Sequence, residues 1–141
     1  MYSDEYLKQC LIGQAVEEGK GLCGRKIPWR DFISKKQDGV FDGPGVFIFG
    51  SDNTALSVGQ TEKGLMVELS RRYIGNGDEH QMNQALQLSK GISINNSSRC
   101  AAAKLFHDYG VDTIWLMIFS CRNPKDLKKQ IKDLYKPIRP Y

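Results

Sequence analysis

Long apolar runs are missing from this chain of 141 residues, and the longest, Ile114 to Phe119, falls far short of a membrane span, which takes roughly 20 residues. No membrane-crossing helix is expected. Histidine is scarce, with only His80 and His107, so a zinc site or a Ser-His-Asp triad would have to use one of these two. His107 falls late in a predicted helix over Ser97 to Tyr109 and His80 in a polar loop, which favours structural or solvated roles for both. The four cysteines, Cys10, Cys23, Cys100 and Cys121, are too scattered for paired metal-ligand spacing and read as buried thiols. Only 5 prolines, beside 40% hydrophobic and 26% charged residues, exclude a fibrous or disordered chain. Secretion is not expected, because Met1-Tyr2-Ser3-Asp4-Glu5 carries acid where a leader carries base, and no apolar stretch with a cleavage site follows. The chain is therefore expected to be intracellular, in the cytoplasm, with a length suited to one core rather than two.

What is present begins with charge. The formal excess is +4, and residues 121–141 hold seven basic and two acidic side chains, so the surplus of that short segment exceeds that of the whole chain. A local basic element is a better footprint for a phosphate backbone than the same charge spread evenly.

Along the chain, Ser3 reads as an N-cap with Asp4 and Glu5 in the first turn, opening a helix with Leu7, Cys10, Leu11 and Ala15 on one face and Gly19 and Gly21 as its stop. Leu22 to Gly43 is expected to be a loop-rich connector anchored by Trp29, Phe32 and Ile33. Gly45-Val46-Phe47-Ile48-Phe49-Gly50 and Ala55-Leu56-Ser57-Val58-Gly59-Gln60 flank four turn formers, which predicts a β-hairpin. A helix after Lys63-Gly64 is expected to turn Leu65, Leu69 and Tyr73 inward and to end at Gly75-Asn76-Gly77. Polar residues 78–96 suit a short helix around Met82 to Leu88, and Ser97-Ser98 caps a helix that stops at Gly110. Val111 to Cys121 reads as a strand too apolar for any place but the middle of a sheet. Asn123-Pro124 then opens a last helix, with Leu127, Ile131, Leu134 and Tyr135 at core spacing. Lys128, Lys132 and Lys136 fall four apart on its surface. Like charges at this spacing disfavour the helix by a few tenths of a kcal/mol per pair, and a polyanion would relieve the repulsion.

The order of these elements, with several local strings, resembles the GIY-YIG nuclease superfamily. Gly45-Val46-Phe47 and Ser57-Val58-Gly59, with Phe47 and Ser57 ten positions apart, are similar to the family's two strand motifs. The Lys63-Gly64-Leu65 helix ending in Tyr73, the segment from Ser97-Ser98 through His107-Asp108-Tyr109-Gly110, the apolar third strand and Ile131 to Pro137 fall in the family's order. The resemblance spans residues 43–140, and implies an α/β (α+β) domain, a small three-stranded antiparallel sheet flanked by helices, over 43–141. Residues 1–42 would be an N-terminal helix and loop-rich extension packed on it.

The resemblance also implies five catalytic positions, and every one is substituted. Phe47 stands for the first motif tyrosine and has no hydroxyl to bind or move a proton. Ser57 replaces the second with a shorter and less acidic hydroxyl. Glu68 stands where the family places an arginine, Lys128 at the metal-binding glutamate and Pro140 at the asparagine. A protonated lysine repels the hard cation that the glutamate would bind. Arg71 and Arg72 lie one helical turn after Glu68, as substitutes for the missing arginine, and Glu68 either takes over as the metal ligand or pairs with Lys128.

The expected function is therefore that of an inactive or strongly impaired nuclease-like protein. It would keep a nucleic-acid-binding surface for DNA through Arg71, Arg72, Lys128, Lys129, Lys132, Lys136 and Arg139, without a cofactor. One alternative is an active endonuclease with relocated residues, Ser57, Arg72 and Glu68, loaded with Mg²⁺ or Mn²⁺. Another is a protein-interaction module or inhibitor that uses the former cleft, with residues 1–42, through Trp29 and Phe32, as a further place for a protein partner.

Overall fold

A computed structural model describes residues 2–14, 24–29, 31, 43–65, 69, 109–110 and 112–138. Its elements are α1 (Asp4–Leu11), β1 (Ile27–Pro28), β2 (Gly45–Ser51), β3 (Thr54–Thr61), β4 (Ile114–Ser120) and α2 (Pro124–Tyr135). The strands form one antiparallel sheet in the order β1-β4-β2-β3. The architecture is α+β.

Ser3 opens α1 as an N-cap, its Oγ accepting from the Tyr6 N–H at 3.2 Å, and Asp4 and Glu5 complement the positive end of the helix. The helix stops earlier than Gly19 and Gly21. Gly13 adopts φ 77° and its N–H reaches the Cys10 carbonyl at 3.1 Å, which closes the last turn. Tyr6, Leu7 and Cys10 are buried and Leu11 half-buried, whereas Ala15 lies outside the described residues.

The hairpin forms with a tighter loop than four turn residues suggest. Ser51 pairs with Thr54, which leaves Asp52 and Asn53 to reverse the chain, with Asp52 at φ 51°. Short polar side chains tolerate that left-handed conformation better than bulky ones. Phe49 pairs with Ser57 and Gly50 with Ala55, so Leu56 is one residue extra on β3, a bulge beside the candidate position Ser57.

The apolar strand runs over Ile114–Ser120, inside the expected Val111 to Cys121, and is flanked by β1 and β2. Its central place matches its composition, since both faces of β4 are covered. The expected three-stranded sheet gains a fourth member here. Ile27 and Pro28, in the stretch expected to be loop, pair with Leu116 and Trp115. Two residues are too few to give a strand periodicity, and proline is tolerated there because β1 is an edge.

Alternation along the strands divides the core into two layers. Val46, Ile48, Ala55, Val58, Trp115, Met117 and Phe119 pack with α1 and α2. Phe47, Phe49 and Ser57 point to the opposite face, where Trp29 meets Phe49 edge-on with ring centroids 5.3 Å apart. Leu65 and Leu69 have helical backbone and are buried, and the Leu65 side chain crowds Gly45 on that same face. Tyr109 is helical and Gly110 takes φ 81°, as expected of a helix that stops there. Tyr73, the segment around Met82 to Leu88 and the Ser97-Ser98 cap lie outside the described residues.

Candidate nucleic-acid interface and the nuclease-like positions

Pro124 at the first turn starts α2, and Leu127, Ile131 and Tyr135 bury its inner side against β3, α1 and β2. A helix of this length is marginal alone in water, and each fully buried leucine or isoleucine stabilises it by about 1.5–3 kcal/mol. The Tyr135 hydroxyl donates to the Leu7 carbonyl at 2.5 Å and lies 3.8 Å from Met117 Sδ. Burial raises the pKa of this phenol, and Cys10 and Tyr6 nearby push in the same direction. Gln130 adds a second tie to the N-terminal segment, its Nε2 donating to Asp4 Oδ1 at 2.6 Å and to the Tyr2 carbonyl at 3.2 Å.

With its inner side fixed, α2 presents lysines outward. Lys125, Lys129, Lys132 and Lys136 are exposed, whereas Lys128 is half-buried. The lysine column thus runs differently from the expected Lys128, Lys132 and Lys136. Lys128 directly follows buried Leu127, at the border of the buried side, and the line of exposed charge passes through Lys125 and Lys129 instead. Arg122, just ahead of the helix, is exposed too. Lys125 and Arg122 were legible as members of the basic segment, and the i, i+4, i+7 spacing of Lys125, Lys129 and Lys132 is the signal that marks the line, which their exposure bears out. Lys136 caps the helix at φ 48°, with its N–H on the Lys132 carbonyl at 3.0 Å.

Phe47 and Ser57, the two strand positions that resemble the nuclease motifs, lie on the other side of the sheet from α2. Phe47 and Ser57 share a face, since each strand pair places its side chains together. Phe47 is opposite Gly59 and Ser57 opposite Phe49. Phe47 is fully buried, with its ring against Phe49 at a centroid distance of 6.3 Å. Ser57 is 1% exposed, and its Oγ has no hydrogen-bond partner among the described residues. A hydroxyl so enclosed has no path to a phosphate in solvent. The sheet does not bring Lys128 to this face, because α2 packs on the opposite one. Glu68, Arg71, Arg72, Arg139 and Pro140 lie outside the described residues, and so does any pairing of Glu68 with Lys128.

A cluster that the sequence did not announce sits at the hairpin tip. Lys26 Nζ donates to the Asp52 carbonyl at 2.8 Å and to Asn53 Oδ1 at 3.0 Å, and lies 5.0 Å from the Trp115 ring centre. Trp115 Nε1 donates to the same Asp52 carbonyl at 2.8 Å. Partial burial lowers the Lys26 pKa and the nearby Asp52 opposes the shift. These contacts hold the loop to the two strands on its far side. They are structural in kind, a cation satisfied by a turn rather than offered to a ligand.

No protein-family profile, no curated protein and no solved structure matches the chain. Among the described residues no helix is long and apolar enough to cross a membrane.

Proposed function

We propose that this chain is a nuclease-like protein of the GIY-YIG plan that has lost cleavage and binds nucleic acid through α2. The observation that carries the reading is the separation of two features: an exposed line of Lys125, Lys129, Lys132 and Lys136 on one side of the domain, and buried Phe47 and Ser57 on the other. Phosphate binding needs only accessible cations in a row. Phosphodiester cleavage needs a nucleophile or base that reaches the phosphate, with charge stabilisation around it. The lysine line meets the first requirement. Phe47 offers no proton chemistry and Ser57 is enclosed, so neither meets the second.

Two assays test the reading. An electrophoretic mobility shift at low salt is expected to retain labelled DNA, and no shift with single- or double-stranded DNA or RNA overturns the binding claim. Plasmid DNA incubated with Mg²⁺ or Mn²⁺ is expected to stay supercoiled. Nicking that disappears in Glu68→Ala would establish the active alternative instead.

A further inference from the structure

The distribution of charge around α2 decides between two geometries in which the helix could meet a nucleic acid. With 3.6 residues per turn, Lys129 and Lys132 project within about 40° of Lys125, and Lys136 follows at the C-cap. The line extends about 16 Å along the axis at 1.5 Å per residue. Asp126 and Asp133, both exposed, project about 80–100° to one side of it. The opposite flank leads through half-buried Lys128 to the buried Leu127, Ile131 and Tyr135.

A helix that enters a groove brings both flanks close to phosphate strands. Here one flank would press two carboxylates against a strand, and the other is occupied by the domain's own packing. The lysine line itself meets no such obstacle when the helix lies along a single strand. Base reading takes side chains to the base edges within a groove, lysine to guanine and glutamine or asparagine to adenine, and the lysines reach no base edge while the helix stays outside the grooves. The amide side chain of α2, Gln130, is half-buried and engaged by Asp4 and Tyr2. Tyr135, the sole aromatic residue of the helix, is buried, so α2 offers no stacking platform of the kind that holds single strands. What remains is charge alone, and the duplex, with one phosphate per about 1.7 Å of axis, is the denser target.

We propose that α2 lies along one phosphate strand of duplex DNA, outside the grooves, and binds it without reading its sequence. This inference rests on the nucleic-acid reading above.

Fluorescence anisotropy of the full chain with labelled duplexes of three unrelated sequences, and with one of their single strands, tests it. The three dissociation constants are expected to agree within about threefold, since each mismatched pair in a sequence-specific site costs about five- to 150-fold and unrelated sequences differ at many pairs. The single strand is expected to bind more weakly than any duplex. The double substitution Asp126→Asn with Asp133→Asn is expected to tighten all three duplexes severalfold and alike. A preference above about tenfold for one duplex, or a single strand bound as tightly as the duplexes, overturns the inference while leaving the nucleic-acid reading intact. Absence of binding to every probe at low salt overturns that reading, and the inference with it.

Discussion

The ring of Phe47 occupies the place that a side chain at Gly59 would take: a Cβ added to Gly59 would meet Cζ of Phe47 at 2.3 Å. The two residues are directly paired across β2 and β3, and the ring covers the glycine backbone. Gly59→Ala is therefore expected to destabilise the fold by about 1–3 kcal/mol, the usual range for overpacking a core. Urea unfolding followed by far-ultraviolet circular dichroism measures it.

A tyrosine at position 47, where the proposed nuclease plan would carry one, is expected to restore no cleavage. Phe47→Tyr adds a hydroxyl at Cζ, the atom nearest Gly59, in a position with no solvent exposure. An unsatisfied hydroxyl buried there costs about 1–3 kcal/mol. The variant is expected to melt at a lower temperature and to leave plasmid DNA uncut in Mn²⁺.

Tyr135 makes stability depend on alkaline pH. Its folded pKa is raised above the ordinary value near 10, by burial first and by Cys10 and Tyr6 after it. The neutral phenol is the form that the folded state favours, so its contribution is complete below pH about 10 and is lost as pH rises beyond the ordinary tyrosine value. Tyr135→Phe is expected to cost about 1 kcal/mol at neutral pH through the lost bond to Leu7. It is also expected to flatten the decline of stability above pH 10, read from urea midpoints across a pH series.

Lys26→Ala removes two hydrogen bonds to the hairpin loop and the contact with Trp115. Partial solvent exposure moderates the effect, and a loss of about 1–2 kcal/mol is expected. Thermal denaturation measures it. DNA affinity is expected to stay within experimental error of wild type, because Lys26 Nζ is engaged by the Asp52 carbonyl and Asn53 Oδ1 rather than offered to a ligand.

Much of this architecture was legible in the order of residues. The β-rich runs around Asp52 and Asn53, the unbroken apolar stretch from Ile114 to Phe119 and the Asn123-Pro124 start of α2 each carry a strong local signal. Ile27 and Pro28 carry none, because a two-residue edge strand exists only through its partner β4. Gly13 ends α1 ahead of Gly19 and Gly21, the stops expected from the sequence. A positive φ at that position is what distinguishes a glycine that ends a helix from one that merely follows it. Phe47 and Ser57 carry no local sign of their burial, which depends on the side chains packed over that face, where Trp29 meets Phe49. On α2 a spacing of four suggested Lys128, Lys132 and Lys136. The buried side of the helix then shifted the exposed line to Lys125 and Lys129.

The most direct test of the account is the salt dependence of duplex DNA binding for the wild type and for the Lys125→Ala, Lys129→Ala, Lys132→Ala triple variant. Four phosphate contacts give a slope of log affinity on log salt near −3.6, and removing three brings it to about −0.9. A wild-type slope near −3.6 that collapses in the triple variant, with the melting temperature kept, is the predicted result. An unchanged slope in the triple variant would contradict the assignment of binding to α2.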